Sequence, residues 1–444
     1  MNYDCIIVGA GPAGIFAALE LVMKSEGKRV LIIEKGKDLP GRDRKEIFSG
    51  WGGAGTYSDG KLNISRDVGG FLNEYTTPAE LDGLLAYADG LYLKYGAPAE
   101  LKGYDAASVS PIEHRAAEAG LRLIPFPIRH IGTDRCLDLL KNLRADLEGR
   151  VEMVFDAGVT EVITGNGKVQ GVRTAGGKEY LSEFVILCPG RIGAKWLKEV
   201  AAKIGLSTDT NPVDIGVRVE VPATVLSHVT DVVHEAKLVY SSKKFDDPVR
   251  TFCMNPYGVV VKERNAGFCT VNGHSYSVKR SENTNFALLV STVFTEPFHE
   301  PIAYGEYIAR LANLLGDGII VQRLGDLLHG RRSTVERIKR GGVAPTLRDA
   351  TPGDLSFVLP YRYLSDITEM LEALDGFAPG INSPSTLLYG VEVKFYSLRP
   401  RLPGSLETEV KNLFAAGDGA GVTRGILQAS VSGIMAAREV LKRL

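Results

Sequence analysis

Two hydrophobic periods alternate along this chain, and their order predicts an α/β protein. Tyr3–Val8 and Val30–Ile33 are short, almost uninterrupted apolar runs, the pattern of parallel strands covered on both faces. Residues 151–190 read as strands Val151–Phe155, Val159–Thr164, Val169–Thr174 and Tyr180–Cys188, separated by turns at Asn166-Gly167 and Gly176-Gly177. Asn-Gly between apolar runs is a strong hairpin signal. Leu81, Leu84, Leu85, Ala88 and Leu91 recur at helical spacing between Ala79 and Tyr95, behind an opening Pro78. Thr133-Asp134 reads as the cap of a helix over Arg135–Asp146. Farther on, Val213–Val221 alternates with period two. Gly258–Lys262 and Ala287–Thr295 are strand candidates, and Tyr307–Leu315 is a helix candidate.

The junction between the first two strands carries chemistry. Gly9-Ala10-Gly11-Pro12-Ala13-Gly14 follows the first strand, and Glu34 closes the second, 20 residues after Gly14. In such a turn Gly9 permits the tight bend, Gly11 lets backbone approach a pyrophosphate, and Gly14 allows close helix–strand packing. Pro12 fits the first helical turn, where its missing N–H costs nothing. The helix N-terminus offers unpaired amides to phosphates, and Glu34 is placed to accept hydrogen bonds from a ribose. The chain therefore reads as a dinucleotide binder.

Near the other end, Thr408–Gly419 is a short strand running into Gly417-Asp418, followed by a helix from about Gly425. This arrangement resembles FAD proteins of the glutathione-reductase structural class, in which such a strand brings an Asp to the ribityl hydroxyls. Asp418 is the matching residue. By the same resemblance the helix points its N-terminus at the flavin pyrimidine, where it can stabilise negative charge on the reduced ring. Gly425, Ala429, Gly433 and Ala437 give that helix a smooth ridge for close packing. Val159 matches the residue that lays backbone against adenine. The strand from Tyr180 ends in Cys188-Pro189-Gly190 where the class has Ala-Thr-Gly, so Gly190 is expected near the cofactor. The cofactor-binding set is thus Gly9, Gly11, Pro12, Ala13, Gly14, Glu34, Lys35, Gly53, Ala54, Val159, Gly190, Gly417, Asp418, Gly425 and Ile426.

Further segments are similar to the FAD-dependent dehydrogenases labelled NAD(FAD)-utilising. They are Gly50–Leu62, Arg250–Pro256, Val271–Ser275, Asn283–Leu289, Gly330–Thr334 and Gly419–Gly425. The resemblance spans essentially the whole chain and implies FAD and oxidoreductase activity, but no substrate. Lys61 and Arg424 are candidates for stabilising a reduced flavin or a substrate anion, with a surface salt bridge as the plainer role. His274 is a candidate general acid or a structurally satisfied histidine. Glu392, Lys394 and Tyr396 fall on one face of a strand, either a site wall or a solvated edge; Tyr396 completes the catalytic candidates. The basic cluster His329–Arg340 suits a phosphate of NADPH or an anionic substrate, or simply a solvated helix face.

Composition narrows the function classes. A net charge of −1 over 444 residues argues against a nucleic-acid-binding protein. Five scattered cysteines contain no C-x-x-C pair, which argues against a disulfide framework or redox dithiol; Cys188 reads as a small buried apolar residue. Seven scattered histidines give a metal site no support. No run is long enough to span a bilayer and the first strand begins at Tyr3, so no membrane insertion and a cytoplasmic protein are expected. The expected architecture is a discontinuous Rossmann-type FAD-binding domain (1–65, 125–198, 386–444). It carries a helical insertion (66–124) and an inserted α+β substrate or cap domain (199–385), with no second dinucleotide fingerprint in the latter. The expected activity is hydride exchange between flavin N5 and a small organic substrate, with NADH or NADPH as a transient co-substrate. Flavin monooxygenase and a flavin-binding RNA-modification or scaffold protein are the rival readings. The Asp-Gly pair that aromatic hydroxylases carry after the strand ending here in Pro189-Gly190 and the W-x-W-x-I-P motif of halogenases are both missing.

Overall fold

The computed structural model describes residues 2–42, 49–57, 60–209, 211–265, 267–276, 280–292, 294, 300–395 and 399–444. The chain divides into two compact units. The first comprises Met1–Glu100, Arg129–Asn211 and Tyr396–Leu444; the second comprises Leu101–Ile128 and Pro212–Phe395. Residues 66–124, read above as one helical insertion, are shared between the units with the break at Glu100/Leu101.

The first unit is built on a Rossmann-type sheet of five parallel strands, extended at one edge by an antiparallel hairpin. Strand β1 (Asn2–Val8) lies between β2 (Val30–Ile33) and the strand Glu179–Leu187, parallel to both. Glu152–Val154 extends the sheet beyond β2, and Leu413–Ala415 pairs in parallel with Glu179–Leu187. Helix α1 (Pro12–Lys24) connects β1 to β2, with Pro12 in its first turn as its fixed φ favours. Both faces of the sheet are covered, which explains the unbroken apolar runs. Cys5, Ile7, Ile32 and Phe184 pack into one core, and Ile6, Val8, Leu31 and Val185 into another. The hairpin expected at Asn166-Gly167 forms between Val159–Gly165 and Lys168–Thr174, with Asn166 at φ 52.

Register aligns the strand ends. Val8 is level with Ile33 and Leu187, and Leu187 is level with Ala415. Gly9, Glu34, Cys188 and Ala416 therefore emerge along one edge, the carboxyl edge where open α/β sheets bind ligands. The C-terminal helix (Ile426–Leu441) crosses α1 closely. A Cβ on Gly433 would lie 2.0 Å from the Ala13 carbonyl oxygen, so only glycine permits this approach.

Two local expectations in this unit are revised or met with small changes. The helix expected from Thr133-Asp134 runs Cys136–Leu147, and its N-cap is Arg135, with no side-chain cap. The helix expected over Ala79–Tyr95 runs Pro78–Lys94, fixed by a Thr77/Glu80 capping box.

The second unit is built on an eight-stranded sheet, antiparallel except where Ile320–Arg323 pairs with Thr351–Pro352. Its centre is the strand Val213–Pro222, between Asn283–Thr292 and Leu387–Lys394. Val213, Ile215, Val217, Val219 and Val221 join a core with the helices Ala223–Val233 and Tyr361–Phe377. The alternation read from the sequence is present, yet its polar face is not solvated: Asp214, Arg218 and Glu220 have no exposure. Glu392 and Lys394 lie on a fully buried central strand, so the solvated-edge reading of that strand is wrong. Glu392 meets Arg218 at 2.7 Å and Lys394 at 2.9 Å. Burial opposes ionisation of Glu392, but Arg218 and Lys394 outweigh it and hold the carboxyl below the ordinary glutamate range. The helix expected at Tyr307–Leu315 runs Pro301–Gly316. The strand expected at Ala287–Thr295 runs Asn283–Thr292, while Thr295 lies outside the described residues. Among the described residues no helix is long and apolar enough to cross a membrane.

Candidate cofactor and active site

A cleft of about 380 Å³ opens at the carboxyl edge of the first unit's sheet. That volume is in the range of small-molecule sites. Its floor is the turn after β1. Gly9 has φ 107, and a Cβ there would lie 2.1 Å from the Cys188 carbonyl oxygen, so the turn demands glycine. Gly11 faces open space, which leaves backbone accessible to a ligand. Gly11 is also the N-cap of α1 and supplies no side-chain cap, so the first amides of α1 remain for an anion. Gly14 stands behind the floor: a Cβ would sit 1.9 Å from the Gly9 carbonyl oxygen, and the residue does not line the cleft.

Glu34 leaves the end of β2 into the same cleft, 6% exposed. Its Oε2 accepts from the Ala10 amide at 2.8 Å. Its Oε1 accepts from the Gly36 amide at 2.8 Å and the Gly50 amide at 2.9 Å. One carboxylate thus ties together the glycine turn, the end of β2 and the loop from Gly50. A carboxylate has about four acceptor positions, so Oε2 retains capacity for a ribose hydroxyl.

The glycine-rich loop crosses the turn at close range. Gly52 N–H donates to the Ala10 carbonyl at 2.8 Å, and a Cβ on Gly53 would lie 3.2 Å from Gly11 Cα. Trp51 anchors the loop, fully buried, with its indole N–H donating to the Leu140 carbonyl at 3.0 Å. This explains an aromatic residue in so flexible a sequence.

The far wall comes from the C-terminal segment. Gly417 and Asp418 follow the strand Leu413–Ala415 and line the cleft. Asp418 Oδ1 accepts from the Thr423 hydroxyl at 2.7 Å, and its Oδ2 lies 3.9 Å from Arg191 Nε. Gly425 caps the C-terminal helix without a side-chain hydrogen bond, so a second helix N-terminus meets the cleft. Arg424 lines the same wall, its guanidinium 4.3 Å from the Phe71 ring centroid and its backbone N–H donating to the Gly69 carbonyl at 2.7 Å.

Of the residues expected from sequence to hold the cofactor, all but Gly14 line this cleft. The catalytic candidates disperse. Arg424 is in the cleft wall. Lys61 is buried on the strand Lys61–Asn63 and is not among the lining residues. His274 ends the strand Phe268–His274 in the second unit, paired with Val259. Tyr396 lies outside the described residues. The sequence reading passed over Ser49, Gly55, Ala157, Gly158, Ala429 and the stretch Arg191–Gly193 with Trp196, which also line the cleft. The latter group begins one residue after Gly190, and its position just beyond a strand end at the binding edge was an available signal. Burial pushes the Cys188 thiol well above its usual range, which keeps it a protonated, apolar wall residue.

The backbone-lined cradle, the two glycine-capped helix ends and the carboxylates at both ends fit an elongated dinucleotide such as FAD. No group of His, Cys, Asp and Glu among the described residues could hold a metal ion.

Comparison with known proteins gives the family. The model for "FAD dependent oxidoreductase" matches residues 4–252, and that for "FAD-dependent protein, C-terminal domain-like" matches residues 212–395. A third, "Glucose inhibited division protein A", matches residues 354–444. An uncharacterized protein of Clostridium beijerinckii is 29% identical over 477 residues, covering 99% of this chain and 80% of the relative. Solved structures are similar only distantly. Quinol fumarate reductase of E. coli is 13% identical with a TM-score of 0.46, covering 100% of this chain and 70% of that one. L-proline dehydrogenase from P. horikoshii is 12% identical with a TM-score of 0.45, covering 100% and 94%. With the first of these models spanning more than half its length, the chain belongs to the FAD dependent oxidoreductase family and is an FAD-dependent enzyme.

Proposed function

We propose that this enzyme exchanges a hydride between flavin N5 and a small organic substrate, with NADH or NADPH as a transient electron donor. The observation that carries the reading is the meeting of Gly417-Asp418, Arg424 and the uncapped N-terminus of the C-terminal helix in one wall of the cleft. Bound FAD supplies two-electron chemistry; the chain's own groups supply position and charge. The amides of α1 and the open Gly11 backbone hold the pyrophosphate. Glu34 Oε2 takes a ribose hydroxyl, and Asp418 takes the ribityl chain. The helix amides beyond Gly425 and the Arg424 guanidinium favour negative charge at the pyrimidine end. A dehydrogenase of the NAD(FAD)-utilising kind is the finer kinship proposed. The largely antiparallel sheet of the second unit is not the parallel arrangement of a nicotinamide-binding domain, which supports transient contact over a dedicated site.

Anaerobic stopped-flow absorbance near 450 nm, with NADH and NADPH mixed separately into the yellow protein, tests this. Rapid bleaching by either nicotinamide is the expected result. Absence of bleaching by both refutes the nicotinamide donor and leaves a dehydrogenase reduced by its organic substrate.

A further inference from the structure

We propose that an arginine cluster built around Asp326 in the second unit is a binding site for a phosphate monoester. The segment Arg323–Arg340 carries six cationic side chains and two carboxylates, in a chain whose net charge is −1. The geometry gathers this charge. Asp326 is 1% exposed in its side chain, and its Oδ1 accepts from Arg331 Nε at 2.9 Å, with Arg337 Nη1 3.7 Å away. Its Oδ2 accepts from the Ser333 hydroxyl at 2.8 Å. Burial alone would raise this carboxyl, but the Ser333 and Arg331 hydrogen bonds, with the charges of Arg323 and Arg337, hold it below the usual range. Asp326 is therefore an ionised anchor that compensates one of the three guanidinium groups around it.

The remaining donors point to a ligand. Arg331 is half exposed and uses only Nε on Asp326; its Nη groups make no hydrogen bond within the described residues. Arg323 Nε is buried with no hydrogen-bond partner among the described residues. Planar guanidinium forks with two uncompensated charges match a phosphate monoester dianion in both charge and geometry. The group could belong to a nucleotide carrying a 2′-phosphate or to a small phosphorylated metabolite. The cluster lies outside the FAD cleft's lining, and the assignment does not depend on the hydride reading.

Calorimetric titration of the FAD-loaded protein with adenosine 2′,5′-bisphosphate and with inorganic phosphate tests it. Both are expected to bind, and the double variant Arg331→Gln/Arg337→Gln to weaken both by about tenfold or more. Asp326→Asn, which removes the competing carboxylate but keeps its shape, is expected to tighten both. A scaffold role predicts the same sign for both variants, so opposite signs are the distinguishing result. Tighter binding of the bisphosphate supports a nucleotide ligand; equal binding supports a small phosphorylated one. The proposal is overturned if neither probe binds at millimolar concentration, or if the double variant binds like wild type. It is equally overturned if Asp326→Asn weakens binding, or if only an RNA oligomer binds, with steep salt dependence.

Discussion

Replacing Glu34 by Gln separates two roles that the structure gives one carboxylate. Its oxygens accept three backbone N–H bonds, from Ala10, Gly36 and Gly50, at 2.8–2.9 Å. An amide offers one oxygen. In its better orientation Gln keeps the Gly36 and Gly50 bonds and turns its NH2 toward the Ala10 N–H, which is then left buried and unsatisfied. Such a donor costs about 1–3 kcal/mol. The two surviving bonds also lose their charge assistance, adding about 1 kcal/mol in all. The apoprotein should therefore lose about 2–4 kcal/mol of stability. The assay is urea unfolding of the FAD-free protein followed by tryptophan fluorescence. Trp51 and Trp196 are the chain's only tryptophans, and both lie in the first unit. FAD affinity, measured in parallel, should also fall. An apoprotein midpoint unchanged from wild type, with only FAD affinity reduced, would refute the claim that Glu34 ties the turn to the Gly50 loop.

Asp418→Ala should leave the fold intact and cost about 1–3 kcal/mol of FAD binding, read by equilibrium dialysis; a fully retained yellow protein at low concentration removes Asp418 from the site. Arg424→Ala should keep FAD bound and slow flavin reduction in single-turnover experiments, and unaltered rates would dismiss its electrostatic role. Gly433→Ala should destabilise the protein by about 1–3 kcal/mol through overpacking, because its Cβ would meet the Ala13 carbonyl at 2.0 Å; an unchanged melting curve rejects the close crossing. Glu392→Ala should cost about 3–5 kcal/mol, since it strands Arg218 and Lys394 in the interior. Because the folded-state carboxyl of Glu392 is lowered, its stabilisation is complete above the ordinary glutamate pKa and fades as the pH falls below it. Wild-type stability in urea followed by circular dichroism should decline over that acid range more steeply than that of Glu392→Ala, and parallel profiles would contradict the assignment.

What the sequence made legible was chemistry written in adjacent residues. The glycine turn needs three glycines within six positions, and Gly417-Asp418 announces itself by the strand before it. In both places the physical requirement, backbone close to a ligand, falls on neighbours in the chain. Glu34 shows where this stops. Its spacing from the turn was readable, but Gly50, which one of its oxygens holds at 2.9 Å, is set by the path of a loop. The strand Val213–Pro222 shows a deeper limit. Period-two alternation states that one face differs from the other, not that the polar face meets water. Here Arg218 is buried because Glu392 comes to meet it from 174 residues away, with Asn285 accepting from its Nη1 at 2.9 Å. Charge on a strand becomes interior only through partners that the local pattern does not contain. The arginines around Asp326 obey the same rule in reverse. Their crowding was visible in the sequence, but a solvated helix face and an anion site share that composition. The difference lies in Asp326, a buried carboxylate that holds Arg331 at 2.9 Å and Arg337 at 3.7 Å.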